Sequence, residues 1–205
     1  MTGQMDRIVL RPARSEDVDA AVPLIYSSGP DAFDYVFGDA WTFLRHAYLD
    51  GAGELGYRSH TVAEVDGNVV GVGAAYSGDT NLTFTVAAAR QIVRHFGLRA
   101  PAAIVRGLRT ERVIRPPDKD MHYIGHVGVV ESMRGRGIGA RLIRHFLADG
   151  RARGCRTAEL DVAVTNPDAQ RLYERLGFRV EVERASTLRN ANGSVSTHRR
   201  MVLLL

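Results

Sequence analysis

The most restrictive feature of this chain is a change of pattern at residue 134. Before it runs an apolar stretch, Tyr123-Ile124-Gly125-His126-Val127-Gly128-Val129-Val130; after it, Leu142, Ile143, Phe146 and Leu147 recur at helical spacing. Between them lies Arg134-Gly135-Arg136-Gly137-Ile138-Gly139-Ala140. A strand that turns through glycines into a helix gathers backbone N–H groups and the positive end of a helix dipole at one point, which is how a backbone binds phosphate. The remaining chain has to fold in support of that cradle.

A chain of 205 residues, 45% hydrophobic and 24% charged, can bury one sizeable core, so a single domain over residues 1–205 is expected. Residues 1–6 carry no basic-then-apolar leader, and no apolar run reaches the roughly 18 residues of a membrane span. The expectation is a cytoplasmic protein with no membrane partner. Cys155 is the only cysteine, which excludes an internal disulfide and a cysteine metal cluster; no metal site is expected. The net charge of +4 rests on arginine, since Lys119 is the only lysine, and suits an anionic partner such as a phosphorylated cofactor. The basic segment from Arg90 to Arg115 lacks the interleaved aromatics that stack bases, so nucleic acid is not the expected partner.

Ile8-Val9-Leu10 reads as a strand stopped by Pro12. Ser15 reads as the N-cap of a helix with Val18, Val22 and Ile25 on one face, which Pro23 should kink or shorten. Beyond the break Ser27-Ser28-Gly29-Pro30, Asp31 and Asp39 are candidate caps for two aromatic-rich helices over 33–37 and 41–49. Those aromatics could line an acceptor pocket, although core packing explains them more simply. Residues 60–65 and 69–76 form a hairpin about Asp66-Gly67-Asn68. A helix over 81–96 carries Leu82, Val86, Ala89, Val93 and Phe96 as its apolar stripe and stops at Gly97; a second over 102–114 ends before Pro116-Pro117. Strands over 179–183 and 197–204 flank the turn Asn190-Ala191-Asn192-Gly193. Strands and helices mix without regular alternation, which gives an α+β fold with a largely antiparallel sheet.

Gly135-x-Gly137-x-x-Ala140 also fits a dinucleotide fingerprint, with Asp161 where an acidic ribose ligand would be sought. Asp161 is followed by Val162-Ala163-Val164, however, which puts it inside a strand, and the repeated βαβ units of that fold are missing. Downstream stands Asn166-Pro167-Asp168-Ala169-Gln170-Arg171-Leu172-Tyr173-Glu174-Arg175-Leu176-Gly177-Phe178, a capped short helix with a glycine stop. Together with Arg134-x-x-Gly137-x-Gly139 it resembles the GNAT superfamily of acyl-CoA-dependent N-acyltransferases. The likeness covers residues 123–182, with a weaker one at Leu10-Arg11-Pro12-Ala13 to Asp17; residues 79–120 exceed what a minimal member needs.

The resemblance implies a GNAT fold: a central mixed, mostly antiparallel sheet flanked by helices, whose parallel strands 124–130 and 157–164 splay apart. Acceptor-side elements would span 15–120, the acetyl-CoA-binding core 122–182 and a C-terminal hairpin 179–205. It implies the cofactor's pyrophosphate on Arg134, Gly135, Arg136, Gly137, Ile138, Gly139 and Ala140, and its pantetheine arm along Val127, Gly128 and Val129. An N–H near Val129 would polarise the acetyl carbonyl, Asn166 would contact the cofactor, and Tyr173 matches the tyrosine that protonates the departing thiolate. For the amine's proton, Asp161 and His126 rank level ahead of Glu131 and His122, with a water chain as the alternative. Asp161 alternates with Leu160 and Val162 and so also fits an exposed strand position; if Val127 faces the core, His126 points the other way. The implied activity is acetyl transfer from acetyl-CoA to a primary amine of a small molecule or peptide, by direct attack in a ternary complex. The alternative is a non-catalytic acyl-CoA-binding or regulatory module. A homodimer is implied at the level of the family, and the acceptor stays open.

Overall fold

The computed structural model describes residues 8–205, so the reading of residues 1–6 lies outside the described residues. Its strands are β1 (Val9–Pro12), β2 (His60–Val65), β3 (Asn68–Ser77), β4 (Met121–Val129), β5 (Thr157–Ala163), β6 (Arg179–Arg184) and β7 (His198–Leu204). They form one seven-stranded sheet in the order β1-β2-β3-β4-β5-β7-β6. Every neighbouring pair is antiparallel except β4–β5. That parallel pair holds only from Met121↔Thr157 to Tyr123↔Glu159 and then opens, so the expected splay is present.

Helices α1 (Val18–Ser27), α2 (Pro30–Phe37), α3 (Ala40–Asp50), α4 (Asn81–Phe96), α5 (Ala100–Thr110), α6 (Ile138–Ala152) and α7 (Pro167–Arg175) flank the sheet. On one face the buried stripe of α6, Leu142, Ile143 and Phe146, packs with Ile124, Leu160 and Met201. On the other, α1 and α3 pack through Val22, Ile25 and Leu44 against Val62 and Val72. Gly128 allows this second contact: a Cβ there would stand 2.3 Å from the Leu24 carbonyl oxygen. No helix among the described residues is long and apolar enough to cross a membrane.

One irregularity in the sheet shapes the site. Val72 pairs with Gly128 and Ala74 with Gly125, so Gly73 faces both His126 and Val127. This bulge holds His126 at φ +55°, a left-handed conformation rare outside glycine.

Several local expectations change. The N-cap position of α1 is Asp17 and not Ser15, and it makes no side-chain bond into the helix: its carboxylate reaches back to accept the Arg14 N–H at 2.7 Å while Arg11 grips it from the side at 2.7 and 2.8 Å. Pro23 lies inside an unbroken α1, where burial of Val22, Leu24 and Ile25 outweighs one missing hydrogen bond. Asp39 does cap α3, accepting from Thr42 N, but Asp31 sits within the first turn of α2, behind Pro30. Helix α5 begins and ends earlier than expected, at Ala100 and Thr110. Helix α4 has the expected span but the opposite orientation. Leu82 is 76% exposed, Val86 and Val93 also face outward, and the inner face is Ala87, Gln91 and Ile92. Small Ala87 suits the close approach of Gly53, and the Gln91 amide donates to the Ala52 carbonyl at 2.9 Å, so packing against the loop after α3 overrides the apolar stripe.

Candidate active site

The glycine turn folds as its sequence requires. Gly135 and Gly137 both take left-handed φ values, +76° and +80°, and a Cβ on either would meet nothing within 4 Å. Glycine is therefore demanded by backbone conformation, and the space above the turn is free for a ligand to approach. Gly137 is the N-cap of α6, with no side-chain acceptor on its first N–H groups. Those donors and the helix dipole face the same space, an anion site by construction. Ile138 is part of the core and can contribute only its backbone. Gly139 lies against α7, where a Cβ would be 3.3 Å from Leu172.

A cavity of about 1520 Å³ runs from this turn through the β4–β5 gap toward α2, α4 and α5. It is lined by every residue expected to hold the cofactor except Arg136, which is exposed outside it. The backbone of β4 supplies a directional donor. Val130 N–H donates to the Val70 carbonyl on the β3 side at 2.9 Å. Strand backbones alternate, so the Val129 N–H turns toward the gap. The Val129 carbonyl, on the same side, accepts from Arg134 Nε at 3.2 Å, which ties the cradle's arginine to the strand. Asn166 caps α7 by accepting the Ala169 N–H at 3.2 Å, leaving its amide N–H₂ for other partners.

Tyr173 projects from α7 into this cavity, its ring against Phe178. Burial pushes its hydroxyl up to about 12, so it stays protonated at neutral pH and has a proton to donate to a hydrogen bond.

The four candidate bases separate clearly. His122 is fully buried beneath α6, 3.6 Å from Asp149, and Glu131 is exposed; neither lines the cavity. Asp161 lines it, but the expected exposed position is corrected: its side chain is 2% exposed. It accepts the Tyr123 hydroxyl at 3.0 Å and Arg200 Nη2 at 2.8 Å, because β7 inserts beside β5 and carries Arg200 opposite it. His126 faces the cavity, and burial pushes its imidazole down to about 4. It is therefore neutral at pH 7, able to accept a hydrogen bond but weak as a base.

Residues 24–178 match the sequence pattern of the acetyltransferase (GNAT) family. The chain belongs to this family. A stretch of 56 residues is 45% identical to the acetyltransferase Atu2258 of Agrobacterium fabrum, covering 27% of this chain and 39% of that one. Another of 70 residues is 36% identical to the 5-NmdU N-acetyltransferase of Pseudomonas phage PaMx11, covering 34% and 46% respectively. The chain thus spans less than half the length of these curated relatives. An N-acetyltransferase from Staphylococcus aureus Mu50 shares the fold with a TM-score of 0.71 at 20% identity, covering 95% of this chain and 100% of that one.

This GNAT chain also brings to the cavity a residue that sequence reasoning missed. Glu54, in the loop after α3, accepts the Tyr76 hydroxyl at 2.7 Å, and its Oε1 lies 3.4 Å from His126 Nε2. Burial raises its carboxyl pKa. Phe33, Phe37 and Phe43, expected chiefly as core, line the same end of the GNAT cavity.

His126 stacks on His60 with centroids 5.5 Å apart, and burial pushes His60 down to about 3. In the unfolded chain both titrate near 6.5, so below that pH the unfolded state binds protons that the folded state refuses. Stability is therefore lost as pH falls from about 6.5 toward 4. At pH 5.5 the pair costs about 3 kcal/mol relative to pH 7.5, or roughly 6–12 °C in Tm. Thermal melts at the two pH values measure this. The His60→Gln variant should show about half the drop, and equal melts for the native chain would refute the account.

Proposed function

We propose that this protein transfers an acetyl group from acetyl-CoA to a primary amine in a ternary complex. The observation that carries this reading is the convergence of an open glycine cradle, a strand edge turned into the β4–β5 gap and the Tyr173 hydroxyl on one continuous cavity. The residues fit the cofactor: free space stands above Gly135 and Gly137, and the unpaired edge of β4 offers main-chain groups to an extended, amide-rich arm. Acetyl-CoA, when bound, supplies a thioester carbonyl activated for attack.

The chain's own groups then divide the work. Backbone amides from Gly135 to Ala140 take the pyrophosphate, and Arg134 and Arg136 add positive charge. The Val129 N–H stabilises the charge that grows on the carbonyl oxygen. The amine must lose a proton before its nitrogen attacks; His126, held near 4 by burial, is too weak a base to keep it, so the proton passes to water while the neutral imidazole, facing the cavity, orients the amine by accepting a hydrogen bond. Asp161 is held by Arg200 and Tyr123 and serves as structure rather than as base. As the C–S bond breaks, the Tyr173 hydroxyl hydrogen-bonds the sulfur. Cys155 lies outside the cavity, so direct transfer requires no acetylated cysteine.

Isothermal titration with acetyl-CoA and with CoA, followed by thiol release across an amine panel, tests the proposal. Saturable binding with amine-dependent release is expected. Binding without release for any amine would leave a non-catalytic module, and no binding at millimolar cofactor would overturn the reading altogether.

A further inference from the structure

Resting on that reading, we infer that the acceptor is a primary amine carried on an apolar body, an aralkyl- or branched alkylamine, whose ammonium group is received by the Glu54 carboxylate. The acceptor end of the cavity is walled by Phe33, Phe37, Phe43 and Phe84, with Ile104 beside them. Set into this apolar wall is the Glu54 carboxylate, which has no charged cationic partner among the described residues. Glu54 Oε1 takes the Tyr76 hydroxyl and stands near His126, which is neutral, while Oε2 has no partner among the described residues. The side chain is 42% exposed and lines the cavity, so it is open to a ligand there.

With apolar walls on either side, the attraction between this carboxylate and an arriving cation is stronger than in open water. Of the acids on the cavity, Asp161 is already matched by Arg200, and Glu54 is the one that stands beside His126, 3.4 Å from its Nε2, which makes it the receptor. Glu111 lines the same cavity from the end of α5 and adds negative potential that draws a cation inward. An ammonium on Glu54 also lies near the His126 imidazole, which, being neutral, can accept a hydrogen bond from it.

The body of the acceptor follows from what surrounds the receptor. Aromatic faces attract both an apolar group and the cation it bears. Two neighbouring amides are engaged elsewhere: the Asn81 amide donates to the Pro117 carbonyl at 2.8 Å and the Gln91 amide to the Ala52 carbonyl at 2.9 Å. A peptide would bring unsatisfied backbone groups against phenylalanine, and a polyamine would bring further charges.

The test is initial-rate thiol release by the full chain with 2-phenylethylamine, isoamylamine, putrescine, agmatine and an alanine-led tetrapeptide, alongside titration of acetyl-CoA. Expected is a kcat/KM for the first two amines about tenfold or more above the other three. Glu54→Gln, which keeps an oxygen for Tyr76, should lower it about tenfold with acetyl-CoA affinity and Tm unchanged. Phe84→Ala should lower it more for 2-phenylethylamine than for ethylamine. Preference for putrescine, agmatine or the peptide, equal use of the panel, full activity in the Glu54→Gln variant, or cofactor binding with no turnover of any amine would overturn the inference while leaving the cofactor site standing. Failure of acetyl-CoA to bind would instead overturn the transferase reading beneath it. The wild-type preference decides the matter even if a variant fails to fold.

Discussion

Replacing Tyr173 with phenylalanine is expected to lower kcat about 10- to 100-fold while leaving acetyl-CoA affinity unchanged. The size follows from the hydroxyl's environment. Burial holds it near 12, whereas an ordinary thiol titrates near 8.5, so complete proton transfer to the sulfur is uphill by about 5 kcal/mol. Tyr173 therefore works mainly by hydrogen-bonding the developing thiolate, a charge-assisted bond of about 1.5–3 kcal/mol that exists only as the C–S bond breaks. Its hydroxyl has no partner among the described residues, and its ring packs on Phe178, so the phenylalanine variant keeps the fold and the cofactor site. Kinetics and titration on the same preparation check both halves. An unchanged kcat would remove Tyr173 from the chemistry, and a matching fall in acetyl-CoA affinity would recast it as a binding residue.

What could be read beforehand was what the chain specifies locally. Gly135 and Gly137 announce left-handed turns by residue type, Asn166 announces a cap, and the Leu142, Ile143, Phe146 spacing announces the buried face of α6. These features need no distant partner to be interpreted. Glu54 is different: an isolated acid between Gly53 and Leu55, it acquires meaning only when Tyr76 on β3 and His126 on β4 arrive beside it. His126 was placed ambiguously because strand alternation is disturbed by the bulge at its own position. The stripe on α4 misled because the neighbouring loop asks for a small residue and a hydrogen bond at the contact, which Ala87 and Gln91 provide. Asp161 looked like an available base because its partner, Arg200, comes from the strand that inserts beside β5 only in the folded sheet.

That insertion carries the largest expected effect on stability. Arg200, 3% exposed, holds two buried acids at once: Nη1 donates to Glu159 at 2.8 Å and Nη2 to Asp161 at 2.8 Å. It also donates to the Arg115 carbonyl at 2.5 Å and lies over the Tyr123 ring at 5.2 Å. Arg200→Met keeps the volume of the side chain but leaves Glu159 without a counter-charge and Asp161 with only Arg184, 4.0 Å away. The expected loss is about 3–5 kcal/mol, or roughly 6–20 °C in Tm, measured by thermal and denaturant unfolding. The triple variant Arg200→Met, Glu159→Gln, Asp161→Asn removes the charges together and should recover most of that loss, since the penalty belongs to the unpaired acids rather than to the missing attraction. A single variant within 1 kcal/mol of the native chain would mean that water or rearrangement compensates the acids, and Asp161 would regain its standing as a base. If the triple variant folds and still transfers acetyl groups, Asp161 acts only through the frame it builds, and the amine's proton leaves without it.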